Sequence, residues 1–416
     1  MTSLIDRPAA QFGSAEALVC RECGATYPLG PTHVCELCFG PLEIAYDPDA
    51  LRAVTRASIE AGPQSMWRYR GLLPVEPLVD LRVGMTRLVP APNLARELGM
   101  RSLWVKDDSG NPTHSFKDRV VAVAASAARA LGYRVLACAS TGNLAHAVAA
   151  AAANAGLRSV VFIPHDLEAG KSVTTAVYGG TLVAVEGSYD EVNRLSAEIA
   201  GELPWGFVNV NVRPFYAEGS KTVGFEIAEQ LGWRLPEQVV IPIASGSLLT
   251  KVDKAWRELS RLGLVDPTAY RVFGAQSTGC SPVAAAFRAG HDVVAPVRPT
   301  GIAKSLAIGN PADGPYALDV VRRTGGVIED VGDTEIVDGI RLLARTTGIF
   351  GETAGGVTVA TLRKLLETGR LDPEAETVIL NTGDGLKTLD AVVDAVGPTV
   401  TIAPTLQAFR EAGLSE

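Results

Sequence analysis

An α/β fold with parallel sheets and helices on both faces is predicted by three features of the chain. From about residue 100 onward, short β-rich runs alternate with alanine-rich helical runs, the pattern of parallel strands joined by helical crossovers. Many of the strands end in a small-residue or polar loop, and ligands in such folds gather at the carboxyl ends of strands. A compact cysteine-rich stretch precedes this region. The expected architecture is two three-layer doubly wound α/β domains behind a small N-terminal four-cysteine unit.

In chain order, residues 18–45 form the first unit, and a connector containing MWRYRGLLPVEP follows with weak periodicity. SLWVKDD then reads as a strand, DRVVAVAASAARAL as a helix, RVLACAS as a strand and NLAHAVAAAAANAGL as a helix. SVVFIPH, TLVAVEG, QVVIPIA, YRVFGAQS and TVILN are further strands, and LLTKVDKAWRELSRL and VTVATLRKLLETG further helices. No internal repeat or low-complexity linker is visible.

The chain has 416 residues, which suits two or three domains. Its net charge of −8 argues against a general nucleic-acid role. The N-terminus lacks the basic start and apolar core of a secretory signal. No apolar run reaches the roughly 18 residues that a membrane helix needs. The expectation is a cytoplasmic protein that binds neither membrane nor nucleic acid.

Cys20-x-x-Cys23 and Cys35-x-x-Cys38 are two knuckles separated by eleven residues. In a reducing compartment such a cluster reads as metal ligation before disulfides. Four thiolates suit tetrahedral Zn²⁺, and a site filled by protein ligands is structural. The alternative is four free cysteines that have lost their metal. His33 is surplus to a four-cysteine site and reads as a surface loop residue.

The segment SGNPTHSFKDR, residues 109–119, places Lys117 at a loop–helix junction. An imine-forming lysine must be held close to its electrophile. Taken alone, a lysine before Asp-Arg is more often an ion-paired surface residue. Ser140-Thr141-Gly142-Asn143 joins a strand to a helix, and its exposed amides make an anion site or a plain helix cap. Ser245-Gly246-Ser247 lies at another such junction, where small residues let amides approach a phosphate.

SGNPTHSFKDR resembles the SFKDR motif of the fold-type II pyridoxal-phosphate enzymes, which share the tryptophan-synthase-β-like fold, and most closely that of threonine synthases. The resemblance covers most of residues 75–400. It implies pyridoxal 5′-phosphate held as an imine by Lys117. It also implies substrate carboxylate at Ser140, Thr141 and Gly142, with Asn143 on the cofactor's ring oxygen. The loop Ser245, Gly246, Ser247, Leu248 and Leu249 would take the cofactor phosphate, although ASGSL departs from the common GNAGN form. ILNTGDGLK resembles the family's LTGxGLK and implies Thr382 at the pyridine nitrogen. YAEGSKT resembles EGQKT and implies that Glu218, Ser220 and Lys221 border the site.

The implied reaction converts O-phospho-L-homoserine and water to L-threonine and phosphate by γ-elimination and β-addition. One departure stands out: Tyr216 occupies the place expected for a phosphate-binding arginine, which leaves Arg213 or Lys251 to take over. His114, where glycine or alanine is usual, reads as packing or as a proton carrier. A β-replacement or elimination enzyme acting on O-phosphoserine, similar to cysteate synthase, is the alternative within the cofactor class. A non-catalytic zinc-knuckle binding protein is the alternative outside it. The family also implies a homodimer. The domain expectation is 18–45 for the knuckle unit, 46–117 with 209–405 for the large domain, and 118–208 for a small mobile domain.

Overall fold

The computed structural model of the chain describes residues 11–140, 142–165, 174–186 and 189–414. Thr141 lies outside the described residues. Three sheets organise the chain. Strands β1 (Ala15–Cys20), β2 (Thr26–Tyr27) and β3 (Leu42–Tyr46) pair antiparallel in the order β2-β1-β3. Strands β4 (Arg87–Pro90) and β5 (Leu103–Asp107) begin a larger sheet. The chain then leaves to build a parallel sheet from β6 (Val135–Ala139), β7 (Arg158–Pro164), β8 (Thr181–Val185) and β9 (Gly206–Phe207), in the order β8-β7-β6-β9. It returns with β10 (Gln238–Pro242), β11 (Arg271–Ser277), β12 (Ile328–Val331) and β13 (Thr377–Asn381). The larger sheet has the order β12-β11-β10-β13-β5-β4, parallel except for β4.

The sequence shows why these strands are interior. Every residue of β6, β10 and β13 is buried, as expected when helices cover both faces of a parallel sheet. β12, with the sequence IEDV, was not legible because two charges interrupt it. Both charges are neutralised locally: Asp330 accepts from Arg288 at 2.8 and 2.9 Å, and Glu329 pairs with Lys364 at 3.0 Å. β4 was missed because it ends in Pro90 and is a short antiparallel edge, where proline is tolerated.

The helices that matter for the site are α1 (Lys117–Ala130), α2 (Asn143–Ala155), α3 (Arg213–Glu218), α4 (Lys221–Gln230), α5 (Ser247–Arg261), α6 (Gly314–Arg323) and α7 (Thr353–Glu367). β10 and β13 are neighbours, yet the chain runs outward from β10 through β11 and β12 before it returns. This is a topological switch point, so a crevice opens at their carboxyl ends.

The start of α1 is anchored by a buried ionic network. Arg119 has no exposed side-chain surface; it donates to Asp108 at 2.7 and 2.8 Å and to Glu226 at 2.5 and 2.7 Å. Lys106 adds a 2.6 Å bond to Glu226, and the Thr86 hydroxyl bonds Asp108 at 2.6 Å. Burial alone would raise the pKa of Glu226, but Arg119 and Lys106 outweigh it and hold the carboxyl down to about 2. The network ties β5, α1 and α4 at one point.

Removing one partner of such a network strands buried charge. We expect Arg119→Met to cost about 3–5 kcal/mol of stability, read as a lower denaturant midpoint. The pH dependence has a definite sign. Because the folded pKa of Glu226 lies below its ordinary value of 4.5, its contribution is complete above that value and is lost as pH falls towards about 2. Acid titration of wild type against Glu226→Gln should show the two melting temperatures converging over that window.

Candidate active site

Loops from the carboxyl ends of β5, β6, β10 and β13 supply the candidate residues. Lys117 opens α1 and is half-buried. Its position follows from contacts on both sides. The Phe116 amide donates to the Thr382 carbonyl at 2.9 Å, and Ser115 bridges Gly383. Asp118 accepts from the Thr113 amide at 2.7 Å and its hydroxyl at 2.8 Å, which closes the preceding loop. The Lys117 amine donates to the Tyr216 hydroxyl at 3.2 Å. Tyr216, read from the sequence as a gap in a motif, therefore touches the central lysine. His114 is exposed and holds a left-handed φ of 62°. Glycine is the easy residue for such a backbone.

Ser140 and Gly142 sit between β6 and α2, and the Gly142 amide donates to the Ser140 hydroxyl at 3.3 Å. Asn143 bonds two groups to which the sequence assigned no role. Its amide donates to the Glu352 carboxylate at 3.0 and 3.2 Å, and its carbonyl accepts from Lys387 at 2.9 Å. Burial raises the pKa of Glu352 above its ordinary value despite the bonds from Asn143 and the charges of Lys387 and Lys117. Burial likewise lowers that of Lys387 against the pull of Glu352. This Lys387–Asn143–Glu352 chain was missed. Glu352 lies in a glycine-rich GETAGG turn, a signal that could have found it.

Ser245, Gly246 and Ser247 lead from β10 into α5, a helix of 15 residues. The Ser247 amide donates to the Ser245 hydroxyl at 3.4 Å, and the first-turn amides of Leu248 and Leu249 lack helical acceptors and can offer backbone N–H groups. The leucine side chains themselves are core residues, 7% and 0% exposed. Gly246 has φ +94°, and a Cβ there would lie 2.7 Å from the Asp313 carbonyl oxygen. Only glycine satisfies both constraints. Arg213 bonds Asp313 at 2.9 Å and is partly exposed.

Lys251 is a correction. It is 3% exposed and committed to Glu43 at 2.8 Å and Glu218 at 2.9 Å, so its ammonium is not free for a substrate phosphate. Glu218 and Lys221 share this buried cluster with Lys254 and Glu258 rather than lining the site. The cluster joins α3 and α5 to β3 of the N-terminal sheet.

In the knuckle unit the Sγ atoms of Cys20, Cys23, Cys35 and Cys38 all lie within 4.8 Å of one another. Cys20–Cys38 and Cys23–Cys35 are each 3.5 Å apart. Tetrahedral zinc with bonds near 2.3 Å needs sulfur separations of about 3.8 Å, so the four thiols could hold such a metal. The hydrogen bond with Tyr27 lowers the Cys35 thiol to about 6, whereas the neighbouring thiols raise those of Cys38 and Cys23. His33 is half-buried; burial and nearby Arg213 lower its pKa.

Residues 79–383 match the model of the pyridoxal-phosphate dependent enzymes. A threonine synthase of Methanocaldococcus jannaschii is 37% identical over 383 residues, spanning 90% of this chain and 94% of that one. The chain belongs to the pyridoxal-phosphate dependent enzymes, on the threonine synthase branch. A threonine synthase of Methanosarcina acetivorans is 34% identical over 399 residues, spanning 95% of this chain and 98% of that one. Among solved structures, maize serine racemase aligns with a TM-score of 0.61 at 22% identity, covering 74% of this chain and 91% of its own. The processed threonine deaminase isoform 2 of Solanum lycopersicum aligns at 0.62 and 18%, covering 92% and 98%. These two likenesses speak to the fold.

The residues present suit the family's cofactor. The Ser115 hydroxyl, two residues from Lys117, is buried without a hydrogen-bond partner among the described residues. The Thr382 side chain is almost buried at 6% exposure, and among the described residues nothing pairs with its hydroxyl. Open polar atoms beside an amine and a set of free amides fit a polar aromatic phosphate. We expect Gly246→Ala to weaken pyridoxal-phosphate binding at least about tenfold, since the new methyl would push the loop off Asp313. Equilibrium dialysis with cofactor absorbance checks it.

Proposed function

We propose that the enzyme converts O-phospho-L-homoserine and water to L-threonine and inorganic phosphate. The observation that carries this reading is the pairing of Lys117, at the carboxyl end of β5, with relatives of that activity matched over nearly the whole chain. Pyridoxal phosphate, when bound, supplies the electron sink for carbanions on the substrate.

The chain's own residues then take separate tasks. Lys117 would hold the cofactor and move protons at the substrate carbons, with the Tyr216 hydroxyl 3.2 Å from its amine to orient it. Ser140 and Gly142, which lead into α2, take the substrate carboxylate together with Thr141, which lies outside the described residues. Asn143, held by Glu352 and Lys387, orients the cofactor ring. The Thr382 hydroxyl would donate to the cofactor's ring nitrogen as a neutral partner, and the Ser245–Leu249 loop would take the cofactor phosphate. Arg213 takes the substrate phosphate.

The knuckle holds structural Zn²⁺, in keeping with four converging thiols. No described helix is long and apolar enough to cross a membrane, and a reducing cytoplasm suits the free thiols. Residues 118–208, which carry the Ser140–Asn143 loop, close over substrate; identical free and substrate-bound structures would rule that out. A homodimer is supported by the exposed apolar side chains Leu386, Leu389, Val393 and Val396, which a second copy would cover.

Purified protein mixed with O-phospho-L-homoserine should release phosphate and threonine in equal amounts. Lys117→Ala should lower turnover by at least roughly 10²- to 10⁴-fold. A cofactor band without threonine would leave the family intact and remove this substrate, with O-phosphoserine the next compound to try. Metal analysis should find one zinc per chain, and Cys20→Ser should lower both the metal content and the melting temperature.

A further inference from the structure

Asp313 is shared by two arginines from different parts of the chain. Arg213, on α3, donates to Oδ2 at 2.9 Å, and Arg21 pairs with Oδ1 at 3.5 Å. Arg21 lies inside the first cysteine knuckle, one residue after Cys20. Its guanidinium is held in place: Glu43 lies 3.3 Å from Nε, and the Tyr316 ring stacks 3.5 Å beneath it. The Asp313 amide donates to the Ser245 carbonyl at 2.9 Å, which puts the carboxylate against the loop that leads into α5. One turn along α3 from Arg213 is Tyr216, whose hydroxyl lies 3.2 Å from the Lys117 amine. Arg213 thus shares a helix with the tyrosine that touches the lysine, and its aspartate partner is tied to the loop that leads into α5.

The two guanidinium charges are balanced by Asp313 and Glu43, but both side chains are partly exposed and keep N–H donors that these carboxylates do not use. Among the described residues, Asp313 is the only acceptor for the Arg213 side chain. Guanidinium forks match phosphate geometry, and two of them around a single anion select a dianion over a neutral group. Lys251, the other sequence candidate, is already committed to two carboxylates.

We propose that Arg21 and Arg213, aligned by Asp313, form the clamp for the substrate phosphate, so that the cysteine-knuckle unit supplies one of the residues that choose a phosphorylated substrate. The inference rests on the reading that the substrate is an amino-acid phosphate. It gives the knuckle a part in specificity, and it accounts for Tyr216 standing where the family resemblance implies an arginine.

The test uses the holoenzyme and the variants Arg21→Gln, Arg213→Gln and their combination. Each single change should raise KM for O-phospho-L-homoserine on the order of 10- to 100-fold, with kcat within about twofold. The double change should cost less than the product of the two, because both groups hold one anion. Inorganic phosphate, titrated calorimetrically into the holoenzyme, should lose affinity in parallel; this readout does not depend on turnover. Tyr46→Phe removes a docking bond from the same unit to Glu218, at 2.6 Å, without touching Arg21, and should leave both quantities unchanged.

Unchanged KM and phosphate affinity in Arg21→Gln, with zinc content and melting temperature preserved, would overturn the clamp. So would an equal effect in Tyr46→Phe, which would reduce Arg21 to a docking residue, or loss of pyridoxal-phosphate affinity in place of KM. If wild type fails to turn over O-phospho-L-homoserine yet binds phosphate through both arginines, the substrate reading fails and the clamp stands.

Discussion

The buried guanidinium of Arg119 is the interaction on which the site depends. It lies two residues from Lys117 and binds carboxylates from the end of β5 and from α4. Fixing the first turn of α1 against both elements fixes where the lysine emerges. Asp118 does the corresponding work for the loop before it, through the Thr113 amide and hydroxyl. Lys117 is left for chemistry because the next two residues, Asp118 and Arg119, are spent on holding it. An isolated charge at this depth would be costly; here it is tolerated because every strong donor has an anionic or hydroxyl acceptor.

A second ionic layer joins the knuckle unit to the catalytic body. Glu218 has no exposed side-chain surface and accepts from Lys251 and Lys254 at 2.9 and 2.8 Å, with Lys221 at 2.7 Å. Three ammonium groups hold its carboxyl well below the ordinary range, against the opposing effect of burial. Glu43 of β3 shares Lys251 and Lys254. The short helix α3 is therefore gripped at its carboxyl end by this cluster and at its amino end through Arg213 and Asp313. Tyr216 is suspended between the two grips, at a fixed distance from Lys117. The same geometry docks the separate N-terminal sheet on the rest: Glu43 of β3 completes pairs with Lys251 and Lys254 of α5.

Around Asn143 the electrostatics run differently. Glu352 and Lys387 both move towards neutrality, because burial disfavours each charge more than the other charge favours it. Asn143 stands between them and is oriented by both.

Local sequence was enough for the alternating strands and helices, the lysine, the small-residue loops and the four thiols. Each of these rests on local periodicity or on short spacing, which a linear chain displays openly. The strand IEDV was hidden because its charges are neutralised by Arg288 and Lys364, partners from other elements. Lys251 was indistinguishable in sequence from a site residue; only the approach of Glu43, 208 positions earlier, removes it. Glu352 and Asp313 acquire meaning the same way, through Asn143 and through Arg21 with Arg213. Which charges face each other is set by packing across the sheets, and pairing energy depends on distance and burial rather than on position along the chain.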